Sequence, residues 1–299
     1  MPLFDSYITV DWSVANTPNT GRDSIWFTEL SWDKRGRLAR RCLNNPATRA
    51  EATQLLGDRL AKRVDEGKRV LVGFDFPFGY PRGTAGRLGH DGLQWQQMWS
   101  EISDLIDDRP DNRNNRFNVA EGLNDRLYGE AFPFWGHTGQ DERAGLKKRG
   151  RRPHGPDDLS ERRLVEIRIR KTQPVWKLAY TGSVGSQALT GIPRVRALRH
   201  DPRLASSTRI WPFETGLRHD PKAQVILAEA YPSLVEPDIL DGKPKDAGQV
   251  TALARHYARL DEGDALEPLF AADPDLNESE MTMVTMEEAW ILGVTGGTA

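Results

Sequence analysis

The chain has 299 residues and a formal net charge of −2 at pH 7, with 38% hydrophobic and 28% charged residues. This length suits one large domain or two small ones, and the composition is typical of a folded, well-solvated protein rather than a disordered or membrane-spanning one. No segment approaches the roughly 20 apolar residues that cross a bilayer, and we expect no secretion signal. The single cysteine, Cys42, excludes an internal disulfide and a thiolate metal cage, so we expect a protein of the reducing cytoplasm.

The first third of the sequence predicts an α/β arrangement of four strands and one helix. The helix should begin near Thr48, because Thr48 and Glu51 form a capping-box pattern, and it should end at Gly67. Apolar runs and alternating patterns predict strands in residues 7–12, 24–32, 38–43 and 69–77. The last of these is a continuous apolar run, as is typical of a central strand that is buried on both faces.

A polar stretch of approximately residues 81–172 follows, rich in arginine, asparagine, glycine and aspartate. Because it has few apolar clusters of its own, we interpret it as a long insertion over the sheet of a single domain spanning residues 1–299. Helical segments are expected within it near residues 92–106 and 119–128. Beyond it, the pattern predicts strands in 209–213 and 224–231, a helix from Asp246, and a C-terminal segment 277–294 of helix followed by strand or loop.

Basic residues are concentrated in residues 143–177, and most densely in 146–152. Such a patch can follow phosphate groups, although a solvated loop explains it equally well. We expect Arg113 and Arg116 to help position phosphates, and Lys177 to face the site from just before a glycine-rich turn. Ser183 lies in that turn and is a candidate substrate contact, with an ordinary tight turn as the alternative.

Three carboxylates occupy positions where a purely structural sequence rarely has one. Asp11 ends an apolar run, and Asp75 and Glu229 lie inside two others. A buried carboxylate is paired, hydrogen-bonded, protonated or bound to metal, because burying an unpaired charge is costly. If the three strands are neighbours, their ends bring the acids to one edge of the sheet. Mg²⁺ or Mn²⁺ is the natural counter-charge for such an all-oxygen site.

Each acid also has a structural interpretation. Asp11 could begin a turn, and Glu229 could pair with an arginine such as Arg209. A further acid, Asp246, has the sequence pattern of a helix N-cap, so it could cap the last helix, bind metal or do both. Glu214 is another candidate for contact with a substrate.

Other catalytic chemistries are poorly represented. The six histidines show no spacing typical of zinc ligands. The sequence contains neither a Walker phosphate loop nor the strand-turn-helix serine motif of the α/β hydrolases. Oxygen-based metal chemistry therefore has the strongest support.

Six motifs, spread over nearly the whole chain, are Thr9-Val-Asp-Trp-Ser13, Gly73-Phe-Asp-Phe-Pro-Phe-Gly79, Gly182-Ser-Val-Gly-Ser-Gln-Ala-Leu-Thr-Gly-Ile-Pro193, Trp211-Pro-Phe-Glu-Thr-Gly216, Ala228-Glu-Ala-Tyr-Pro-Ser233 and Glu288-Ala-Trp-Ile-Leu-Gly293. In this order they resemble a bacterial family of predicted ribonuclease H-like nucleases, long catalogued as a domain of unknown function. The resemblance implies a mixed sheet flanked by helices, with acids on the first and fourth strands that match Asp11 and Asp75. It implies a later acid matching Glu229, and Asp246 as a late helical acid. That family's helical acid commonly lies inside an apolar stretch, whereas Asp246 precedes one.

The leading hypothesis is a nuclease-like, divalent-metal-dependent phosphodiester hydrolase. Two Mg²⁺ or Mn²⁺ ions bridged by Asp11 would be held by Asp75 and Glu229, with Asp246 as a further ligand. The partner would be a nucleic acid or a phosphorylated small molecule, and no membrane. The alternatives are a non-catalytic ribonuclease H-like scaffold that binds a nucleotide or a partner protein, and an enzyme that acts on a small phosphorylated metabolite.

Overall fold

The structure, a computed structural model, describes residues 2–140, 142–169 and 171–295. Its centre is a six-stranded mixed sheet with the order β3-β2-β1-β4-β6-β5. The strands are β1 (Ser6–Asp11), β2 (Trp26–Trp32), β3 (Leu38–Asn44), β4 (Val70–Phe74), β5 (Thr208–Ile210) and β6 (Val225–Glu229). β2 runs antiparallel to β1 and β3, whereas β4, β6 and β5 run parallel to β1.

Helices flank the sheet and fill the insertion. The α-helices of the described residues are α1 (Arg49–Asp65), α2 (Thr84–Arg87), α3 (Gln94–Leu105), α4 (Arg116–Tyr128), α5 (Leu164–Arg168), α6 (Gly185–His200), α7 (Lys245–Glu262) and α8 (Glu278–Met283). Short 3₁₀ turns cover Pro232–Leu234 and Glu267–Phe270, and a π-helical turn, Val284–Glu288, follows α8. None of these helices is long and apolar enough to cross a membrane.

The two faces of the sheet are covered by different helices. β4 and β6 are buried along their whole lengths, as expected for central strands between two layers. On one face, Val72 joins a core with Leu56 of α1 and Leu189 of α6. On the other face, Leu71 packs in a core with Leu253 of α7. Successive residues of β4 therefore anchor opposite layers, which fixes the strand register.

The insertion shares the core of the sheet. Trp99 of α3 and Leu123 of α4 are buried in the same apolar cluster as Val10 of β1 and Phe74 of β4. Most apolar residues of the insertion thus lie on inward faces, whereas Leu93, Leu105 and Ile167 are exposed and the charged Arg116, Arg163 and Glu166 are buried. This arrangement lets a polar segment form one wall above the carboxyl ends of the parallel strands.

The first turn of α7 packs closely against the preceding loop at a glycine. A Cβ atom on Gly248 would lie 2.0 Å from the backbone oxygen of Asp238, and Asp238 also donates its N–H to the Gly248 carbonyl at 3.2 Å. We expect Gly248→Ala to lower the free energy of unfolding by about 1–3 kcal/mol, because the overpacked backbone must shift. Urea denaturation measures this, with Gly122→Ala as the control, because a Cβ at Gly122 meets nothing within 4 Å. Equal stability of both variants would contradict the prediction.

Candidate functional site

Two carboxyl groups meet where β1 and β4 end. The strands are parallel neighbours with Val10 opposite Phe74, so Asp11 and Asp75, each one residue further along, lie side by side. The backbone N–H of Trp12 donates to Oδ1 of Asp75 at 2.7 Å. The structure thus brings together the acids that the sequence placed at the ends of the first and fourth strands.

The electrostatics of this pair favour a cation. Burial raises the pKa of Asp75 to about 6, against the opposing effect of its hydrogen bonds to Asp11 and to the backbone. Burial, and then the charge of Asp75, raise the pKa of Asp11 well above its usual range. Two like charges in an apolar setting are relieved by sharing a proton, and a bound cation would relieve them in the same way.

Asp246 lies close enough to influence the pair. It is in the first turn of α7, and its Oδ2 accepts a hydrogen bond from the backbone N–H of Asp23 at 2.9 Å. The charges of Asp246 and Asp23 further raise the pKa of Asp11. The interpretation of Asp246 as an N-cap is wrong, because Pro244 is the cap residue of α7 and the Asp246 carboxylate binds the segment before β2 instead.

Glu229, at the end of β6, forms an ion pair with a buried arginine. Its two oxygens accept hydrogen bonds from the guanidinium of Arg163 at 2.7 and 2.8 Å, and Oε2 also accepts the backbone N–H of Phe78 at 3.0 Å. Arg163 is 1% exposed and also donates from Nε to Glu166 at 2.8 Å. The arginine expected as a partner, Arg209, instead donates to a neighbouring carbonyl. Both oxygens of Glu229 are therefore engaged by Arg163.

Arg163 is a functional residue that the sequence reasoning missed. Burial alone would lower its pKa, but attraction to Glu229 and Glu166 outweighs burial and raises it. Its Nη1 also donates to the backbone carbonyl of Glu288 at 2.8 Å, which ties the insertion to the C-terminal segment. Nothing in the sequence distinguished Arg163 from the other arginines of the basic region, because Glu229 and Glu288 are distant from it in sequence.

Two clefts meet at Asp11. One, here called the inner cleft, has a volume of about 270 Å³ and includes Asp75, Arg163 and Glu229 in its lining. The other, the outer cleft, has a volume of about 320 Å³ and includes Asp23 and Asp246. The residues that line both are Asp11, Gly182, Ser183, Gln187 and Gln249. The carboxylate pair therefore lies at the junction of two spaces, each of which approaches the lower end of the size range of small-molecule sites.

The glycine-rich turn and the start of α6 form one wall of this junction. Ser183, a predicted substrate contact, lines both clefts. Gln187, which the sequence reasoning did not single out, donates from Nε2 to the carbonyl of Trp12 at 2.7 Å and to Oδ2 of Asp75 at 3.4 Å. It therefore fixes the orientation of the Asp75 carboxylate and of the chain after β1.

The other predicted substrate contacts lie outside the linings of both clefts. Lys177 donates from Nζ to Oε1 of Gln173 and to a backbone carbonyl. Arg113 is largely exposed and pairs with Asp111.

Arg116 is buried and donates to Oγ of Ser186 at 3.0 Å; burial lowers its pKa to about 10. Glu214 accepts a two-point ion pair from Arg199. These four residues are bound within the protein.

Ion pairs also occupy much of the basic region. The guanidinium groups of Arg143, Arg151 and Arg152 pair with carboxylates of the insertion, namely Glu121, Glu161, Glu130 and Asp158. Within the described part of the chain, Lys147, Lys148 and Arg149 form no such pair and are exposed. The insertion therefore attracts a phosphate group less strongly than the number of basic residues in it suggests.

The donor set at the junction fits a magnesium-like ion bound by few protein ligands. Over the described residues, no group of three or more histidine, cysteine, aspartate or glutamate side chains is positioned to hold a metal. Mg²⁺ commonly keeps several waters and is held by one or two carboxylates together with substrate phosphates. Asp11 and Asp75 supply two such carboxylates, and the raised pKa values of both show that negative charge is disfavoured there without a cation.

The fold and the site define a mixed α/β protein with a pair of carboxyl groups at the carboxyl ends of adjacent parallel strands, where two clefts meet. Such edges are where open α/β sheets usually bind ligands. Comparisons with protein-family models, curated proteins and solved structures find no match for this chain. The function is therefore argued from the site itself.

Proposed function

We propose that the protein is a divalent-metal-dependent phosphodiester hydrolase built on a ribonuclease H-like sheet. The observation that carries this proposal is the side-by-side placement of Asp11 and Asp75 at the ends of two parallel strands, with Asp11 lining both clefts and Asp75 lining the inner one. The family resemblance implies acids on the first and fourth strands, and these two residues end or follow those strands. An antiparallel β2 beside a parallel β1–β4 pair is in keeping with the mixed sheet of the resemblance.

One ion, Mg²⁺ or Mn²⁺, is bound by Asp11 and Asp75 in this proposal, and it would polarise a phosphoryl oxygen and make water a better nucleophile. Gln187 orients Asp75 through its amide, and Trp12 does so through its backbone N–H. Asp246 adds negative charge from the outer cleft. Glu229 is assigned to the Arg163 ion pair rather than to the ion, which reduces the two-ion hypothesis to one ion.

Calorimetric titration of Mn²⁺ into the protein tests the proposal. We expect binding to the wild type and an affinity at least about tenfold weaker in Asp75→Asn, because the amide loses the charge while its one oxygen can still accept from the Trp12 N–H. Asp65→Asn, which changes an exposed acid of α1, is the matched control and should bind Mn²⁺ like the wild type. The same proteins are then assayed for Mn²⁺-dependent hydrolysis of bis(p-nitrophenyl) phosphate.

Two results would contradict the proposal. Equal Mn²⁺ affinity in the wild type and Asp75→Asn would remove the ion from this pair. Absence of both binding and hydrolysis in the wild type would favour the non-catalytic scaffold, in which the acids are structural. The cytoplasmic location expected from the single cysteine stays a prediction.

A further inference from the structure

Three consecutive basic side chains of the insertion lack a counter-charge in the described part of the chain. Lys147, Lys148 and Arg149, here called the basic loop, are exposed. Within the described residues, none of the three side chains forms an ion pair or a hydrogen bond, whereas nearby arginines of the insertion pair with carboxylates. The basic loop therefore keeps its positive charge available to a partner in solution.

The backbone of the basic loop is fixed against the rest of the insertion. The carbonyl of Lys147 accepts the N–H of Gly136 at 2.8 Å. The carbonyl of Lys148 accepts the N–H of His137 at 3.4 Å and the hydroxyl of Tyr180 at 2.9 Å. All three hydrogen bonds use backbone oxygens of the loop, so its lysine side chains are not needed to hold it in place.

Tyr180 connects the basic loop to the outer cleft. Its side chain contacts the loop twice, because its hydroxyl donates to Lys148 and its ring lies under the Arg149 guanidinium, whose carbon is 5.0 Å from the ring centre. Tyr180 is also part of the lining of the outer cleft. Aromatic rings and cations beside a cleft are the combination with which many proteins bind nucleic-acid strands.

The charges within the outer cleft explain why the basic loop matters. The lining includes the carboxyl groups of Asp11, Asp23 and Asp246, and no lysine or arginine. A phosphodiester in this cleft therefore depends on the ion of the proposed function for positive charge. A small diester would end there, whereas a strand has further phosphates that can reach the basic loop.

Resting on the proposed function, we infer that the substrate is a nucleic-acid strand. Its phosphates pass from Asp11 through the outer cleft, over Tyr180 and onto the basic loop. Loop contacts of this kind are made to the backbone of the strand and supply affinity without selecting a base sequence.

Neutralising the two lysines of the basic loop tests this inference. Binding of a fluorescein-labelled oligothymidylate is followed by fluorescence anisotropy with Mn²⁺, using phosphorothioate linkages to slow hydrolysis. In the double variant Lys147→Gln/Lys148→Gln, we expect the affinity at low salt to fall at least about fivefold. The slope of log K against log salt should become smaller by about 1.4, because each lost phosphate contact removes about 0.7. The variant should fold normally, because the loop is held by backbone oxygens.

The double variant Lys34→Gln/Lys222→Gln is the matched control. It removes the same charge from two exposed lysines that form no ion pair within the described ranges. Lys34 follows β2 and Lys222 precedes β6, which places both at the end of the sheet opposite to Asp11. The control should bind the strand like the wild type.

The outcomes separate this inference from the proposed function. Strand binding that only the basic-loop variant weakens, without hydrolysis of bis(p-nitrophenyl) phosphate by the wild type, would support the surface and reject the hydrolase. Hydrolysis of that diester together with equal strand affinities in the two double variants would keep the hydrolase and overturn the inference. Absence of strand binding by the wild type, or equally strong binding of an oligoglutamate of the same charge, would also overturn it.

Discussion

Arg163→Met is expected to lower the free energy of unfolding by about 3–5 kcal/mol at pH 8, since it leaves buried carboxylates without their counter-charge. Arg163 is 1% exposed, and its ion pairs hold Glu229 and Glu166, whose side chains are no more than 3% exposed. Urea denaturation followed by tryptophan fluorescence measures the loss. Arg203→Met is the control, because Arg203 is half-exposed and pairs with Asp58 and Asp201. This substitution should lower the free energy of unfolding by less than about 1 kcal/mol.

The loss should also depend on pH in a defined direction. Burial already raises the pKa of Glu166 with Arg163 in place, and Arg163→Met removes the largest effect that opposes this rise. Groups of this kind contribute stability that is present at low pH and disappears as pH rises through the folded pKa. The variant should therefore be closer to the wild type at pH 5 than at pH 8. A deficit that is equal at both pH values, or as small as that of Arg203→Met, would mean that these carboxylates do not depend on Arg163.

Several elements of the fold followed from local patterns, although the helix α6 (Gly185–His200) was not among those predicted. The apolar run at residues 69–77 predicted a central strand, and β4 lies between β1 and β6 and is buried throughout. The helix predicted from Thr48 begins there, with Thr48 Oγ1 accepting the N–H of Glu51 at 3.2 Å. The capping box itself is incomplete, because the Glu51 carboxylate binds the N–H of Ala47 instead. Local hydrogen bonds and periodicity are encoded within a few residues, so the sequence alone reveals them.

The site was only partly predictable, because some of its side chains form hydrogen bonds and ion pairs with residues that are distant in sequence. Asp11 and Asp75 could be placed together, since each terminates a buried strand and parallel neighbours end at one edge. The pairing of Glu229 with Arg163 joins residues 66 positions apart in sequence and depends on how the insertion folds over the sheet. The same limit applies to Arg116, whose partner Ser186 lies 70 positions away in sequence.

Asp11→Asn is expected to abolish most metal-dependent activity while making the protein more stable. Hydrolysis of bis(p-nitrophenyl) phosphate with Mn²⁺ should fall at least about 100-fold, because the ion loses a charged ligand. In chelator at pH 8, the free energy of unfolding should rise by roughly 1–3 kcal/mol, since the amide can donate to Asp75 without a repelling charge. Urea denaturation of the wild type and the variant at pH 5 and pH 8 measures the second effect.

The sign follows from the pKa values of the pair. Asp11 and Asp75 have folded-state pKa values above their usual range, so their contribution to wild-type stability is present below the unfolded pKa and lost as pH rises through the folded values. The advantage of Asp11→Asn should therefore be larger at pH 8 than at pH 5. Asp65→Asn, which alters an exposed acid, should change neither activity nor stability. Loss of both activity and stability in Asp11→Asn would assign Asp11 a structural role, whereas loss of activity with gain of stability is expected of a residue kept for binding a cation at a cost to the fold.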